Sequence, residues 1–325
     1  MGSDDIMVNH LVADLSSTFA LKDLGFVNYF LGIQVVPTAE GILLSQTKYL
    51  QEILCKADMQ NVNTQNTPMN SGLKLSNYGS EPVKDATLYR SIVGALQYAT
   101  VTRPEIAYSI SKVCQFMHQP LLSHWMAVKR ILRYLAGTLD YGLLIKPAPD
   151  FSIEAFCDAD WASDPDDRRS TTGYCIYFGK NLVHWKSQKQ TTISRSSTEA
   201  EFRSLASVVT EVTWLQSLLQ ELHVSSPGVP SIWCDNQSTV LLTANPILHA
   251  RTKHIELDLY FVRDKVLQHQ IQVKHVPSHA QLADCLTKPI SSSLFSSIRS
   301  KLSVVSKATL SLVGPQGIST VQGVS

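Results

Sequence analysis

The period of hydrophobic positions changes several times along the chain, and each change marks an element. Over residues 5–19, DIMVNHLVADLSSTF, the residues Ile6, Val8, Leu11, Val12 and Leu15 recur at helical spacing. FVNYFLGIQVV and GILLSQ then read as two strands around the turn PTAEG. SQTKYLQEILCKADM returns to a helical period, with Ser45 in the N-cap position. The polar stretch 61–85 breaks both periods and reads as a linker or long loop. Three helical segments follow. They are ATLYRSIVGALQYATV, then RPEIAYSISKVCQFMH with Pro104 in its first turn, then LLSHWMAVKRILRYLAGT with Gly137 as its natural C-cap.

After KPAPD (146–150) the pattern becomes that of strands. FSIEAFCD, TTGYCIYFG and LVHWKS are read as three strands, the last two joined by GKN. A long helix covers residues 197–222, followed by the strand PSIWCD and the short helix NQSTVLLTAN. The helix RTKHIELDLYFVRDKVLQ, the strand IQVKHV and the helix AQLADCLTK complete the order βββαβααβα. That order predicts an α/β domain of about 140 residues. Residues 291–325 are rich in Ser and Val without a clear period and are expected to be poorly ordered.

With 325 residues, the chain can hold one large domain or two to three small ones, and 44% hydrophobic with 17% charged residues is ordinary globular composition. A net charge of +1 excludes a basic clamp over the whole length, so nucleic-acid contact would need local patches. Lys129, Arg130 and Arg133 form one such patch, for which a solvated helix face and phosphate contact are equally good readings. Six scattered cysteines without a C-x-x-C argue against a zinc site or a disulfide framework. No apolar run reaches the roughly 18–20 residues of a membrane helix, and the first residues lack a secretion signal. A cytoplasmic or nuclear location without a membrane partner is the expectation.

FCDADWASDPDDRRSTTG (156–173) holds five aspartates. As a calcium loop it fails, because Ala162, Ser163 and Arg169 occupy the positions that need a ligand, a glycine and a glutamate. The strand SIEAFCD ends on Asp158, and SIWCD ends on Asp235 in the same way. Two such strands can project both carboxylates from one sheet edge. Helix N-capping by Asp235 or Asn236 is the alternative. In the long helix the stripe Leu205, Val208, Val212, Leu215, Leu219 and Leu222 extends back onto Glu201. A carboxylate on a core-facing stripe needs a cation or proton partner, unless the stripe ends at Leu205 and Glu201 lies at the surface. Glu199 is explained by the helix start alone. Asp284, early in its helix, gains weight only from the other three. Asp158, Glu201, Asp235 and Asp284 form an all-oxygen set suited to Mg²⁺ or Mn²⁺. Several carboxylates around two such ions, about 3.5–4 Å apart, is an arrangement for phosphodiester cleavage.

FCDADWASDPDDRRSTTGYCIYFG, ISRSSTEAEFRSLA, WCDNQSTVLL, HARTKHIELDLYFVRDKV and VPSHAQLADCLTK together resemble the ribonuclease H domain of copia-type retrotransposon Pol polyproteins. The resemblance continues upstream through LYRSIVGALQYATVTRPEIAYSISKVCQFM to STFALKDLGFVNYFLGIQV and covers residues 5–290. It implies a ribonuclease H-like mixed five-stranded sheet with flanking helices over 148–290. It also implies a partial reverse-transcriptase palm over 1–75 and a helical thumb- or connection-like region over 76–147. Asp158, Glu201, Asp235 and Asp284 become the catalytic set holding two Mg²⁺, with Mn²⁺ as a substitute. The substrate implied is an RNA–DNA hybrid, recognised by its 2′-hydroxyls and A-like shape. Ser196, Ser197 and Thr198 at the helix start, with Asn236 and Gln237, could offer hydroxyls and amides to the backbone. Many ribonucleases H carry a mobile His about ten residues before the last Asp. Here His279 precedes Asp284 by five, so an accessory role and a plain surface His compete. Asp4-Asp5 imitates the polymerase metal motif, but no apolar strand precedes it. The expectation is a chain that begins downstream of the polymerase aspartates, with the missing half or other Pol products as partners. A catalytically dead nucleic-acid-binding remnant is the alternative. An integrase-like transposase fits less well, because the acids here run Asp, Glu, Asp, Asp.

Overall fold

Two five-stranded sheets organise the computed structural model, which describes residues 5–20, 27–244 and 255–312. Asp4, the start of the helix read from residue 251, and the last thirteen residues of the expected tail lie outside them.

The first sheet follows helix α1 (Asp5–Thr18) and is antiparallel throughout. β1 (Tyr29–Phe30), β2 (Ile33–Thr38) and β3 (Gly41–Ser45) are joined by β4 (Tyr141–Ile145), and the far edge is β10 (Val304–Ser306). Helices α2 (Thr47–Lys56), α3 (Ala86–Ala99), α4 (Ala107–Cys114) and α5 (Leu122–Ala136) pack around one core that includes Leu50, Tyr89, Ile92, Leu96, Val128 and Ile131. Pro104 opens a short 3-10 turn that runs into α4. Asp85 caps α3 by accepting from the Leu88 amide at 2.8 Å.

Several expectations need correction. Ser45 does not cap α2; it is the buried last residue of β3, opposite Gly142, and Gln46 takes the cap position. The stretch 61–85 forms almost no regular element, yet Thr67, Met69 and Leu75 are buried against the helices. Arg130 and Arg133 hold that loop. Arg130 donates to Gln65 at 3.0 Å and Thr67 at 2.9 Å, and Arg133 donates to the Asn63 carbonyl at 2.5 Å. The third cation of the patch, Lys129, lies over the Trp125 ring. Gly137 ends α5 with φ −81°, so it is not needed for a left-handed cap. It is needed for room, because a Cβ there would come within 2.9 Å of Thr64.

The largest correction concerns the region after 290. Its described part, 291–312, is not a poorly ordered tail: Ser291 caps a helix α9 (Ser292–Lys301), and β10 follows and pairs with β4. Phe295, Ile298, Leu302 and Val304 are buried at helical and strand spacing, which the abundant serines between them disguise. These residues belong to cores shared with the rest of the molecule, one of which also holds Leu143 of β4 and Cys175, Tyr177, Leu182 and Leu286 of the second sheet region.

The second sheet has the strand order β7-β6-β5-β8-β9. β5 (Ile153–Asp160), β6 (Thr171–Phe178) and β7 (Asn181–Lys189) are antiparallel neighbours. β8 (Ser231–Cys234) runs parallel to β5, and β9 (Gln272–His275) parallel to β8. The long helix α6 (Ser197–Glu221) crosses from β7 to β8. α7 (Gln237–Ala244) and α8 (Glu256–Leu267) connect β8 to β9. Phe202, Leu205, Val208, Val209 and Val212 of α6 pack with Ala155, Cys157 and Ile232 of the sheet. This is the ribonuclease H-like arrangement that the resemblance implies. AQLADCLTK (280–288), however, holds the 3-10 turn Leu282–Leu286, just after another at Ser278–Ala280, rather than an α-helix.

Candidate metal centre

Strand register brings the first two carboxylates together. Cys157 of β5 lies opposite Cys234 of the parallel β8, so the next residues, Asp158 and Asp235, leave the same sheet edge side by side. β5 itself continues to Asp160, with Asp158 opposite Gly173 and Asp160 opposite Thr171. Helix capping does not account for Asp235, because Asn236 caps α7 by accepting from the Thr239 amide at 3.0 Å. Asp235 instead accepts from the Ser278 hydroxyl at 3.0 Å.

Glu201 is buried on the core-facing side of α6, as the stripe predicts, and receives the Cys234 thiol at 3.9 Å. Ser204, one turn on, donates to the Asp158 carbonyl at 2.8 Å and docks the helix on β5. Glu199 is also buried, but Arg203 at 2.8 Å and the Arg195 amide at 2.9 Å satisfy it. Carboxylate oxygens of Asp158, Asp235 and Asp284 come within 4.8 Å of one another, and so do ligand atoms of Glu201, Cys234 and Asp235. All four acids singled out in the sequence therefore share one site, with Asp235 common to both groups.

Electrostatics shows what this crowding costs. Burial, then the charges of Asp158, Cys234 and Asp235, push the Glu201 carboxyl up to about 11. Burial and the Asp158 charge raise Asp284 to about 6, against the opposing pull of Lys288. Asp235 is raised for the same two leading reasons. Buried carboxylates that resist joint ionisation need protons or a cation, and an all-oxygen donor set fits a hard divalent ion. The residues present fit Mg²⁺ or Mn²⁺.

A pH prediction follows from these directions. Without divalent cation the folded chain holds more protons than the unfolded chain, from the ordinary carboxylate value near about 4 upward. The window reaches about 6 for Asp284 and about 11 for Glu201. Stability from this site is therefore greatest at the acid end and falls as pH rises. Thermal melts in EDTA between about pH 5 and pH 8 should show that fall, and the rise in melting temperature on adding Mg²⁺ should grow with pH.

The sequence reading did not assign the residues after Asp284. Lys288 places its ammonium 2.8 Å from Asp284 and 3.7 Å from Asp158. Thr287 donates its hydroxyl to Asp158. This turn can approach β6 because residue 173 is glycine: a Cβ there would stand 2.6 Å from the Thr287 methyl and 2.8 Å from Leu286 Cβ. Gly173→Ala should displace the turn, lowering thermal stability and weakening Mg²⁺-dependent stabilisation at least about 10-fold in apparent affinity. An unchanged Mg²⁺ titration would show that the turn does not position the carboxylates. The T-T-G pattern signals a close approach only once the partner turn is known.

Other candidates fall at the rim or elsewhere. Ser196 caps α6 through the Glu199 amide, Ser197 is exposed and Thr198 half-buried, all at the helix start. Gln237 is exposed at the start of α7. His279 is exposed on the same turn as Ser278, and no hydrogen bond holds it among the described residues. Asp164, Asp166 and Asp167 form a turn around Pro165. Lys189 of β7 reaches Asp164 at 2.7 Å and Asp167 at 2.8 Å, while Asp166 accepts from Ser76 and Asn77.

The family model described as reverse transcriptase (RNA-dependent DNA polymerase) matches residues 1–71. The Pol polyprotein of transposon RE2 from Arabidopsis thaliana is 42% identical over 94% of this chain, and that of transposon RE1 is 44% identical over 93%. An uncharacterized mitochondrial protein of the same plant, AtMg00810, is 48% identical over 66% of this chain and 88% of its own length. The chain belongs to the copia-type retrotransposon Pol family. It spans 21% of the length of each of the RE1 and RE2 polyproteins. Among solved structures, LC11-RNase H1 in complex with RNA/DNA hybrid aligns over 42% of this chain and 94% of its own, with TM-score 0.33 and 14% identity. That likeness is too low to add to the strand order itself. Within this Pol-family chain, no helix among the described residues is long and apolar enough to cross a membrane.

Proposed function

We propose that this Pol-family chain cleaves the RNA strand of RNA–DNA hybrids. The observation that carries the reading is the convergence of Asp158, Glu201, Asp235 and Asp284 on one sheet edge, with carboxyls that resist joint ionisation. Two bound Mg²⁺ or Mn²⁺ ions would supply an activated water and stabilise the leaving oxygen. Asp158 and Asp235 would hold one ion from adjacent strand ends, with Glu201 and Asp284 completing the set from α6 and the last 3-10 turn. Thr287 fixes the Asp158 rotamer, and Ser278 orients Asp235. Lys288 keeps the Asp158–Asp284 pair together by charge. The hydroxyls of Ser196, Ser197 and Thr198, with Asn236 and Gln237, border the substrate path, and His279 assists at the rim.

On this reading residues 148–290 are the nuclease unit, residues 1–75 a palm-derived unit and residues 76–147 a thumb- or connection-like unit. Other Pol products are its partners. A substrate panel tests the proposal. With Mg²⁺, the purified chain should cut the RNA of an RNA–DNA hybrid and leave DNA duplex, RNA duplex and single-stranded RNA intact. Equal cutting of all RNA-containing substrates would reject hybrid recognition. Persistent hybrid binding without cutting would favour a non-catalytic binding remnant.

A further inference from the structure

A polar cavity of about 340 Å³ lies away from the carboxylates, where three distant segments meet. Its walls are the loop 64–66, the C-terminal end of α5 with Tyr134, Thr138 and Tyr141, and one face of α9. Ser292, Ser296 and Arg299 recur at intervals of four and three on that face, which adjoins the face carrying Phe295 and Ile298 that α9 buries in the core. The glycine at 137 lets the loop close against α5 and form the wall.

Arg299 is the charge in this cavity. Its guanidinium stacks 4.5 Å from the Tyr141 ring centroid and donates only long bonds, to the Tyr134 hydroxyl at 3.4 Å and the Tyr141 hydroxyl at 3.5 Å. Its Nε is buried and has no acceptor. Among the described residues it makes no ion pair, whereas the neighbouring Arg103 is neutralised by Glu105. Gln65, which lines the cavity, spends its amide oxygen on Arg130 and keeps its NH₂ as a donor. The lining thus offers a guanidinium with one unmatched nitrogen and two held only by long bonds, an amide and two serine hydroxyls, with no acid among its residues. A guanidinium fork with spare donors matches the oxygens of a phosphate group.

We propose that this cavity is a phosphate-binding site, held by Arg299 with Ser292, Ser296 and Gln65. The phosphate comes either from a nucleic-acid backbone or from a free phosphate compound, and the two sources are separable by experiment.

The test uses the full chain in EDTA, so that the carboxylate site takes no part. Inorganic phosphate, against chloride at matched ionic strength, should raise the melting temperature of the wild type. Arg299→Met should abolish the rise. Because Arg299 also braces two rings, Ser296→Glu serves as the second variant. It keeps Arg299, fills the site with a carboxylate and should also abolish the phosphate response while leaving the fold intact. Binding to an RNA–DNA hybrid across salt concentrations separates the sources. If the phosphate is a backbone phosphate, both variants reduce the slope of log affinity against log salt by about one. If it is free, hybrid binding is unchanged and only the phosphate response is lost. Wild type and Ser296→Glu behaving alike in both assays would overturn the proposal and leave Arg299 as a structural brace.

Discussion

Asp158→Asn is expected to reduce Mg²⁺-dependent cleavage of an RNA–DNA hybrid by more than about 100-fold, the loss that removing even an outer partner of a metal site can approach. Asp158 is the charge common to the crowding: it raises Asp235, Asp284 and Glu201 together, and both Thr287 and Lys288 converge on it. The amide keeps the shape and the Thr287 contact but removes the charge that a divalent ion needs. The same change relieves repulsion, so in EDTA the variant should melt no lower than wild type. Loss of activity with intact stability separates a catalytic role from a folding role. Asp160→Asn is the control. Asp160 lies two residues on, opposite Thr171, outside the group whose oxygens come within 4.8 Å. Burial raises its carboxyl, and its neighbouring cations are Lys288, Lys112 and Lys74. Cleavage rates of this variant should stay within about 10-fold of wild type. An equal collapse of both variants would move Asp160 into the metal set.

The largest expected effect on stability lies elsewhere. Arg103 and Glu105 are fully buried and bonded at 2.7 Å. Arg103 also donates to the Thr138 carbonyl at 2.8 Å and hydroxyl at 2.7 Å, and it lies near the Tyr134 and Tyr141 rings. Tyr134 donates its hydroxyl to Glu105 at 3.1 Å. The network ties the turn before α4 to the end of α5 and the start of β4. Arg103→Leu leaves the Glu105 carboxylate buried without its partner, and removing one member of such a pair costs about 3–5 kcal/mol. Arg103→Leu with Glu105→Leu should recover much of that loss, because no unpaired charge remains. Urea unfolding of the two single variants and the double variant measures this. A cost below about 1 kcal/mol for Arg103→Leu would show that water reaches the pair.

The sequence was informative wherever periodicity met a boundary. The order of strands and helices from Ile153 to His275 follows from alternation and turn residues, and the position of Glu201 follows from a stripe of three- and four-residue steps. The alternatives left open for Asp235 and Glu201 needed contacts to decide. Asn236 proved to be the cap, and Glu201 proved to be buried without the basic partner that Glu199 has. What escaped was non-local. YGLLI is too short to read as a strand beside a helix end, and it becomes one because β3 and β10 pair with it from about 100 and 160 residues away in sequence. The α9 segment hides its apolar positions among serines. Lys189, Thr287 and Lys288 matter through partners on other elements, which no local pattern records. Arg130 and Arg133 read equally as a solvated face or as phosphate contacts because their loop partners, Asn63, Gln65 and Thr67, lie more than 60 residues upstream.

The most direct test of the central claim is one incubation of the wild-type chain with Mg²⁺ and an RNA–DNA hybrid labelled separately on each strand. The account predicts that the RNA strand shortens, the DNA strand stays whole, and EDTA stops the reaction. An RNA strand that stays whole, in protein shown by its melt to be folded, would contradict it.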